Sequence, residues 1–556
     1  MKTSGLTGTF RTWARGDGSY RLEQKVGPAS RVVVYDGQRG WVQDGSAWLR
    51  PWARAELAQV VSDAYLETSS ALVEGRLRGT VRARPEGTLV VAPERGEPMT
   101  VELDASCRPR TIARRQADRT LTTRVESWTT VDGLALPAVV VQSTGDERYE
   151  SRFEYQVTLS GAAAPAASFG PPEPRLRPEM PAGRDVVDVP MELGGNHVFV
   201  PVSVNGKAPS WFVLDTGAEV SVMDAGHAAE LGLTAAGAIE ARGMGEASMD
   251  AAVIAAPSLV FGGVRVPLDS IYTVPLRPLW PRAGRAMHGI LGYDVLGHFA
   301  VELDYAARVV RLHDPDRYAA PPSSTALPVT FESNMPAVGG EVELPGGRRL
   351  PARITVDSGA GSALTLSSPF LARHGVREAV GPVLSGSTGR GIAGATQQDM
   401  GRIVALHLGP YELREPVTAF SLDQKGASAN PDVDANLGGE VLRRFTVVFD
   451  YPRSRMVLTP NAALREAFEA DASGLQLMTD DALARVVVEK VVPGTPAAEA
   501  GVQAGDEIAS VDGRPLRGGD LQDLRKRLRD PGRTFSIELR RGGEVVRTKL
   551  TTRRLV

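Results

Sequence analysis

Short runs in which apolar and polar residues alternate, separated by Gly, Asp and Pro, recur along most of the chain. In the first part they include 31–35, 89–92 and 99–103, with one helix-like stretch near 54–66. Alternation with a period of two between turn residues indicates antiparallel β-strands. We therefore predict one curved antiparallel sheet over residues 1–159.

Two later segments differ from this pattern. Residues 160–184 are rich in Pro, Ala and Gly and show no periodicity, so we predict an extended linker there. Residues 470–556 combine strand-like runs at 484–491 and 534–540 with a charged helical stretch near 520–528. This combination predicts a small domain that contains both strands and helix.

The region between these segments repeats itself. Residues 211–218, WFVLDTGA, resemble residues 353–360, RITVDSGA. Farther along, residues 289–296, GILGYDVL, resemble residues 435–442, ANLGGEVL. Matched motifs in the same order indicate an internal duplication.

The spacing of the motifs strengthens this interpretation. Gly292 follows Asp215 by 77 positions, and Gly438 follows Asp357 by 81. Chance seldom places two motif pairs in the same order at nearly equal spacing, so we predict two lobes of the same fold. The predicted lobes are residues 185–318 and residues 326–460.

The composition excludes several classes of protein. At 556 residues the chain is too long for a single hydrophobic core. The formal net charge is −3 and no domain-sized basic block occurs, which argues against a nucleic-acid partner. No apolar run reaches the length of a membrane-spanning helix. One cysteine, Cys107, allows no intramolecular disulfide, and the absence of zinc-binding patterns predicts no metal or other cofactor.

Asp215 and Asp357 each follow an apolar run and precede Thr-Gly or Ser-Gly. Two carboxyl groups held close together share one proton, because both cannot ionise cheaply at that separation. The ionised group can then activate a water molecule while the protonated group hydrogen-bonds the scissile carbonyl. One such tripeptide alone is more often a simple turn, but the matched repeats favour a catalytic pair.

Residues around the two aspartates are predicted to support them. Glycine lets each loop turn where a Cβ would clash, and the small hydroxyls can hydrogen-bond across to the other loop. The downstream Leu-Gly elements can pack against the loops because glycine permits a close approach. These supporting residues are Thr216, Gly217, Ser358, Gly359, Leu291, Gly292, Leu437 and Gly438.

Residues 185–460 resemble two retropepsin-like aspartic protease units joined in one chain, as in pepsin-like proteases. The Asp-Thr-Gly-Ala, Asp-Ser-Gly-Ala and apolar-Leu-Gly motifs carry this resemblance. It implies a double-lobed β-barrel pseudo-dimer in which Asp215 and Asp357 form the catalytic dyad and Thr216 and Ser358 lock the two loops together.

The same resemblance implies hairpin flaps that close over a substrate. The candidate flap residues are Gly243, Met244, Gly245, Gly391 and Ile392. The alternative is that both segments are ordinary flexible loops. Two residues depart from the family pattern: Asn436 stands where an aliphatic residue is usual, and Glu219 brings an extra carboxylate near the first loop.

The C-terminal segment resembles a PDZ domain of the bacterial protease type. The stretches VVPGTPAA at 491–498, AGV at 500–502, AGDEI at 504–508 and VDG at 511–513 carry this resemblance. It implies that an extended peptide or a C-terminus adds to a sheet edge. The loop expected to bind that peptide contains Gly474, Leu475, Gln476 and Leu477. The alternative is a packing module that orients the protease lobes.

The N-terminal segment resembles the LolA/LolB-like half-barrels of exported lipoprotein carriers, through its Tyr-Asp-Gly and Val-Asp-Gly-Leu turns. This resemblance implies a concave face, lined by Trp13, Trp41 and Trp48, that takes a lipid or an apolar peptide. Aromatic residues at this spacing are otherwise core residues. The expected compartment is the periplasm, with an export signal already removed, although the sequence leaves the cytoplasm open.

The sequence therefore predicts a mainly β protein that is an aspartic endopeptidase. Its substrate is a polypeptide lying between the lobes, which the PDZ domain binds or positions. The alternative function is that of a non-catalytic peptide- or lipid-binding carrier or scaffold of the cell envelope.

Overall fold

The computed structural model describes residues 1–556 except 4, 46–48, 53, 69, 71–76, 86, 117–118, 159–165, 174–177, 242, 244 and 246. Over the described residues the chain is mainly β and contains an antiparallel N-terminal sheet, two lobes with a shared sheet, and a C-terminal α+β unit. The predicted fold class is therefore confirmed.

Among the described residues, the N-terminal part forms one antiparallel sheet with the strand order β6-β5-β4-β3-β2-β1-β13-β12-β11-β10-β9-β8-β7. Its strands are β1 Lys2–Thr3, β2 Leu6–Ala14, β3 Tyr20–Val26, β4 Ala29–Tyr35, β5 Gly40–Gln43, β6 Leu49–Trp52, β7 Gly79–Ala83, β8 Thr88–Pro93, β9 Met99–Leu103, β10 Pro109–Gln116, β11 Arg119–Val131, β12 Leu134–Ser143 and β13 Ser151–Glu154. Helix α1, Arg54–Glu67, packs its apolar side, which includes Val60 and Ala64, against one face of this sheet.

The tryptophans of the N-terminal sheet lie on its other face. Strand alternation places Val33 under α1 and Val34 on the opposite side. Trp13 and Trp41 share the face of Val34 and pack around Phe169, which is buried although it belongs to the predicted linker. Trp48 lies outside the described residues. The two described tryptophans therefore help to attach the linker to the sheet.

Residues 186–460 form two lobes and the sheet that joins them. Their strands are β14 Val186–Pro190, β15 Glu192–Gly194, β16 His197–Val204, β17 Ser210–Leu214, β18 Val222–Asp224, β19 Ala236–Ala241, β20 Met249–Ala255, β21 Leu259–Phe261, β22 Val264–Val266, β23 Ser270–Val274, β24 Gly289–Leu291, β25 Ala300–Asp304, β26 Val309–His313, β27 Thr325–Pro328, β28 Thr330–Glu332, β29 Met335–Leu344, β30 Arg348–Val356, β31 Leu364–Leu366, β32 Leu384–Gly391, β33 Gly394–Arg402, β34 Ala405–Leu408, β35 Tyr411–Arg414, β36 Val417–Ser421, β37 Ala435–Leu437, β38 Phe445–Asp450 and β39 Arg455–Pro460.

The two lobes have the same topology. In the first lobe the strand order is β19-β20-β23-β18-β24-β17-β16-β21-β22, with β15 paired to β16. In the second it is β32-β33-β36-β31-β37-β30-β29-β34-β35, with β28 paired to β29. Each strand of one lobe thus has an equivalent in the other, as the repeated motifs predict. A third sheet, β14-β26-β25-β38-β39-β27, takes strands from both repeats and joins the lobes.

Short helices fill the connections of the lobes. They are α2 Ala225–Glu230, α3 Trp280–Ala283, α4 Tyr293–Leu296, α5 Ser368–His374, α6 Val376–Ala379 and α7 Gly439–Leu442. Helices α4 and α7 directly follow the two Leu-Gly elements and are buried. One continuous apolar core runs through both lobes and the joining sheet, and it fixes the position of one lobe against the other.

The C-terminal unit has its own core, built around Leu475, Val486, Ile508 and Phe535. Its strands and helices are β40 Leu475–Thr479, β41 Val486–Val491, α8 Pro496–Glu499, β42 Glu507–Val511, β43 Arg514–Pro515, α9 Leu521–Arg527, β44 Thr534–Arg541 and β45 Glu544–Thr551. Strand β40 is an edge strand of this sheet.

Short 3₁₀ turns occur along the chain. They span Glu147–Tyr149, Ala166–Phe169, Arg277–Leu279, Pro345–Gly347, Ala427–Ala429, Tyr451–Arg453, Ala462–Arg465 and Gly518–Asp520. None of the helices in the described part of the chain is long and apolar enough to cross a membrane.

Candidate active site

The two aspartates stand at equivalent strand ends. Asp215 directly follows β17 and Asp357 directly follows β30. In each lobe that strand runs parallel to the strand of the Leu-Gly element, β24 or β37. The backbone N–H of Asp215 donates to the carbonyl of Leu291 at 3.0 Å, and that of Asp357 donates to Leu437 at 2.9 Å. The parallel pairing therefore continues to the aspartates themselves.

Thr216 and Ser358 bind each other's loops through four hydrogen bonds. The N–H of Thr216 donates to Ser358 Oγ at 3.0 Å, and the N–H of Ser358 donates to Thr216 Oγ1 at 3.0 Å. Each hydroxyl also donates across the lobe boundary at 2.8 Å, Thr216 to the carbonyl of Val356 and Ser358 to that of Leu214. Both side chains are fully buried. This exchange fixes the separation of the two loops.

Gly217 and Gly359 leave room for the carboxyl of the opposite loop. A Cβ on Gly217 would lie 2.6 Å from Cγ of Asp357, and one on Gly359 would lie 2.3 Å from Cγ of Asp215. Carbon atoms cannot approach so closely, so glycine is required at both positions. Each carboxyl therefore lies over the loop of the other lobe, and the two groups are adjacent.

The glycines of the Leu-Gly elements also permit close contacts. A Cβ on Gly292 would lie 2.7 Å from the carbonyl oxygen of Val220, and one on Gly438 would lie 2.4 Å from that of Ser362. These carbonyls belong to the chain just after each aspartate loop. The Leu-Gly elements therefore pack directly against the loops in both lobes.

The two carboxyls interact strongly. Burial, the neighbouring charge of Asp357 and a hydrogen bond between the two carboxyls raise the pKa of Asp215 well above its usual range. The N–H of Gly217 opposes this rise by donating to Asp215 Oδ1 at 2.8 Å. The pair is therefore suited to hold a single shared proton.

Asn436 donates a hydrogen bond to the pair, a contact that the sequence does not reveal. Its Nδ2 atom lies 2.8 Å from Oδ2 of Asp357. Oδ1 of Asp357 is buried and accepts no hydrogen bond from an N–H or hydroxyl group of the other described residues. The only signal in the sequence is that Asn436 departs from the aliphatic residue expected there.

Three further titratable groups surround the pair. Burial lowers the pKa of His197, against the charge of Asp357, so this imidazole is held neutral. Tyr305 and Tyr451 are buried residues whose pKa is raised by burial and, secondarily, by the aspartates. These tyrosines occupy equivalent Asp-Tyr positions in the two repeats. Glu219, by contrast, is an exposed residue.

The candidate flap segments belong to two equivalent hairpins, β19–β20 and β32–β33, whose tips meet. The N–H of Ala247 donates to the carbonyl of Ala393 at 3.2 Å. A Cβ on Gly243 would lie 2.3 Å from a methyl of Ile392, and one on Gly245 would lie 2.5 Å from the carbonyl of Ala393. Gly391 ends β32 beside this contact, whereas Met244 lies outside the described residues. Ile392 also packs against first-lobe apolar residues.

The N-terminal sheet holds the first of these hairpins. Arg119 of the sheet forms an ion pair and hydrogen bond with Glu240 of β19, and the hydroxyl of Tyr149 donates to Asp250 of β20. The sheet also contacts the second lobe, where Arg115 pairs with Asp432 at 3.2 Å. It therefore bridges the two lobes on the side of the hairpin.

The C-terminal unit holds the second hairpin. Thr388 of β32 and Gln476 of β40 bind each other through their side chains at 2.8 Å. Arg282 of the first lobe donates to the carbonyl of Thr388 at 3.2 Å and pairs with Glu489 of the C-terminal unit at 2.7 Å. The hairpin, the first lobe and the C-terminal unit are thus connected at one point.

The segment containing α3 lies against the edge strand β40 and helix α9. Consecutive carbonyls of this segment accept hydrogen bonds from the C-terminal unit. The side chain of Thr479 donates to the carbonyl of Pro281 at 3.2 Å. That of Arg525 donates to the carbonyl of Arg282 at 2.9 Å, and that of Gln522 donates to the carbonyl of Ala283 at 3.1 Å. Part of the edge to which a peptide would add is therefore covered by the first lobe.

The predicted peptide-binding loop is partly occupied by its own neighbours. The N–H of Gly474 donates to the carboxylate of Asp471, and the N–H of Leu475 donates to Ser473 Oγ at 3.1 Å. Leu475 and Leu477 are buried residues. Residues 474–477 line a cavity of about 350 Å³ together with second-lobe residues that include Ser362 and Glu440.

Within the described part of the chain, no three His, Cys, Asp or Glu side chains come together as metal ligands would. Asp215 and Asp357 offer two adjacent carboxyl groups, and the tips of the two hairpins contact each other.

Comparison with known proteins identifies two domains. A family model described as an aspartyl protease matches residues 200–295, and a PDZ domain model matches residues 487–541. The chain thus contains an aspartyl protease domain and a PDZ domain. Among solved structures, an aspartic proteinase from Irpex lacteus is similar over 50% of this chain and 99% of that chain, at 13% identity and a TM-score of 0.34. Comparison with curated proteins found no match.

Proposed function

We propose that this protein is an aspartic endopeptidase that hydrolyses peptide bonds with the carboxyls of Asp215 and Asp357. The observation that carries the proposal is the reciprocal hydrogen bonding of Thr216 and Ser358. A turn with only a structural role would not require hydrogen bonds to the equivalent loop of the other lobe. This exchange holds two carboxyls, each with a glycine of the opposite loop beneath it, at a separation where they share a proton.

The mechanism follows from that shared proton. The ionised carboxyl accepts a proton from a water molecule held between the two groups, and the water oxygen attacks the scissile carbonyl carbon. The protonated carboxyl donates its proton to the carbonyl oxygen, which gives a neutral tetrahedral diol. The diol then returns a hydroxyl proton to one carboxylate while the leaving nitrogen takes a proton from the other carboxyl, and the C–N bond breaks.

The closed hairpins support an extended polypeptide as the substrate. The two tips contact each other, so in this proposal a substrate enters between them after they separate, or threads beneath them. A single extended chain is narrow enough for such a passage, and it can pair with the strand edges of the hairpins. Closure also excludes bulk water from the carboxyls, which strengthens their interaction.

The PDZ domain, in this proposal, positions the protease lobes and hairpin. Its edge strand and helix α9 bind residues 281–283, and Gln476 binds Thr388 of the second hairpin. These contacts favour the positioning role over capture of a free C-terminus. The cavity beside Gly474 is where a short polypeptide segment would still contact the domain.

The direct test is turnover of a peptide library by Asp215→Asn and Asp357→Asn variants. Asn keeps the shape of the side chain but cannot share a proton, so both variants should lose at least about a thousandfold in kcat. Asp132→Asn, at an exposed turn of the N-terminal sheet, is the matched control and should keep full activity. Cleavage by either dyad variant at the wild-type rate would refute the proposal, and binding of peptides without cleavage by the wild type would favour a scaffold.

A further inference from the structure

Asn436 and Ile290 occupy equivalent positions in the two lobes. In the parallel pairing of β30 with β37, Asn436 lies opposite Thr355, and in the pairing of β17 with β24, Ile290 lies opposite Val213. Thr355 and Val213 each precede the aspartate of their lobe by two residues. The two aspartates therefore have the same backbone surroundings but different neighbouring side chains.

The difference is one of hydrogen-bonding capacity. Nδ2 of Asn436 donates to Oδ2 of Asp357 at 2.8 Å, whereas the side chain of Ile290 has no polar atom to offer Asp215. An N–H donor stabilises a carboxylate more than a carboxylic acid, because the negative charge strengthens the hydrogen bond. Asn436 therefore favours the ionised form of Asp357.

The backbone hydrogen bonds to Asp215 oppose this preference for an ionised Asp357. Gly217 donates its N–H to Asp215 at 2.8 Å, and the backbone of Gly359 also hydrogen-bonds Asp215, so both contacts favour an ionised Asp215. Without Asn436, the backbone would thus leave the proton on Asp357. Asn436 opposes this backbone preference, because its Nδ2 donor is on Asp357.

We propose that Asn436 is a positioning residue that assigns the two catalytic roles, so that Asp357 is the ionised base and Asp215 carries the shared proton. The inference rests on the proposed peptidase activity and deepens it. The base that activates water is then in the second lobe, and the acid that protonates the carbonyl oxygen is in the first.

The other titratable groups that face the pair do not explain such an asymmetry. Burial lowers the pKa of His197, near Asp357, and so disfavours the charged form of this imidazole. Tyr305 faces Asp357 and Tyr451 faces Asp215, and the pKa of both phenols is raised, so both stay neutral. The pair is thus flanked by one neutral tyrosine on each side, whereas Asn436 donates a side-chain hydrogen bond to Asp357 that the equivalent Ile290 cannot donate to Asp215.

The test compares Asn436→Ile, Ile290→Asn and the double variant that exchanges the two residues. Loss of the donor should raise the pH of the acidic limb of kcat/KM by about half to one pH unit, because ionisation of the first carboxyl becomes harder. The pH of the basic limb should change less, because Asp357 is ionised both before and after Asp215 loses the shared proton. Ile290→Asn alone adds a donor and should move the acidic limb below the wild-type pH, whereas the double variant should bring it back to about the wild-type pH.

A second measurement does not require turnover. Carbon-13 NMR of aspartate carboxyls, assigned with the Asp215→Asn and Asp357→Asn variants, should show that Asp357 ionises first in the wild type and Asp215 first in the double variant. Asn436→Leu provides the same loss of donor if Asn436→Ile does not fold, with thermal unfolding as the check of folding.

The outcomes separate the two proposals. A wild-type protein that cleaves peptides while the Asn436 variants keep its acidic limb and its order of ionisation would overturn the role of Asn436 alone. Absence of cleavage at every pH would overturn the peptidase proposal, whereas the NMR titration would still decide which aspartate holds the proton.

Discussion

Thr388 of the second-lobe hairpin and Gln476 of the PDZ edge strand bind each other twice. The hydroxyl of Thr388 donates to Oε1 of Gln476 at 2.8 Å, and Nε2 of Gln476 donates to the carbonyl of Thr388 at 3.3 Å. Because Thr388 belongs to β32, the PDZ domain is connected to the second-lobe hairpin, whose tip contacts the tip of the first-lobe hairpin.

Removing this connection should loosen the hairpin. We expect Gln476→Ala to increase amide hydrogen exchange in residues 384–402 and to cost about 1 kcal/mol of stability, because two hydrogen bonds at a partly buried contact are lost. Hydrogen-exchange mass spectrometry measures the effect. Gln398→Ala on the same hairpin is the control, because its side chain donates a weak hydrogen bond to the sulfur of Met400 at 3.4 Å. Equal exchange in the two variants would show that the PDZ contact does not restrain the hairpin.

Breaking the hydrogen bonds between the loops of Thr216 and Ser358 should strongly lower the free energy of unfolding. Thr216→Val keeps the shape of the side chain but leaves the carbonyl of Val356 and the N–H of Ser358 without their partner inside the protein. We expect a loss of about 2–4 kcal/mol in the free energy of unfolding, measured by denaturant titration, together with a large loss of activity. Thr216→Ser retains the hydroxyl and should lose far less. A Val variant as stable as the Ser variant would contradict this account.

A methyl group added beneath either carboxyl should abolish activity. In Gly217→Ala the new Cβ would collide with the carboxyl of Asp357, 2.6 Å from its Cγ, and must displace it. A displacement of this size disrupts the shared proton, so we expect at least about a hundredfold loss in kcat. Gly339→Ala provides the control, because no heavy atom of the described residues, apart from Gly339 and its two chain neighbours, lies within 4 Å of its new methyl group. Retained activity in Gly217→Ala would mean that the carboxyl positions are not critical.

The pKa of Asp215 predicts how stability depends on pH. Because its pKa is raised in the folded state, its contribution to stability is complete below the unfolded pKa of about 4 and is lost as the pH rises through the folded value. Asn at this position does not titrate. The stability of Asp215→Asn relative to wild type should therefore increase as the pH rises above about 4, as measured by denaturant unfolding at several pH values.

Asp132→Asn, which changes an exposed carboxylate, should keep a nearly constant difference from wild type over the same range. A stability difference for Asp215→Asn that stayed flat with pH, or that fell, would show that the buried carboxyl is not held protonated. The same titrated proton governs catalysis, so activity should decline at high pH where that proton is lost.

Several features could be predicted from local sequence alone. An apolar run followed by Asp and then by Thr-Gly or Ser-Gly predicts a buried strand that ends in a tight loop. The residues that form this strand and loop are adjacent in the chain, so the pattern can be read directly from the sequence. Its recurrence at 353–360 predicts two equivalent lobes, and the two lobes have the same strand order. The α+β character of the last segment follows in the same way from its short strand and helix patterns.

Other features could not be predicted because they depend on residues far apart in the chain. The linker residue Phe169 is buried against Trp13 and Trp41, although a Pro-rich segment by itself indicates only an extended chain. The edge of β40 is covered by residues 281–283, about two hundred residues earlier, through carbonyls that every sequence possesses.

The sequence by itself determined that two Asp loops exist and that they belong to one duplicated fold, since both follow from short-range patterns. The sequence also predicted that Thr216 and Ser358 hydrogen-bond across the loops, but only the tertiary structure decided that Asn436 contacts Asp357. The physical reason is that hydrogen bonds are short and directional, so a partner is chosen by the packing of the lobes and not by spacing along the chain.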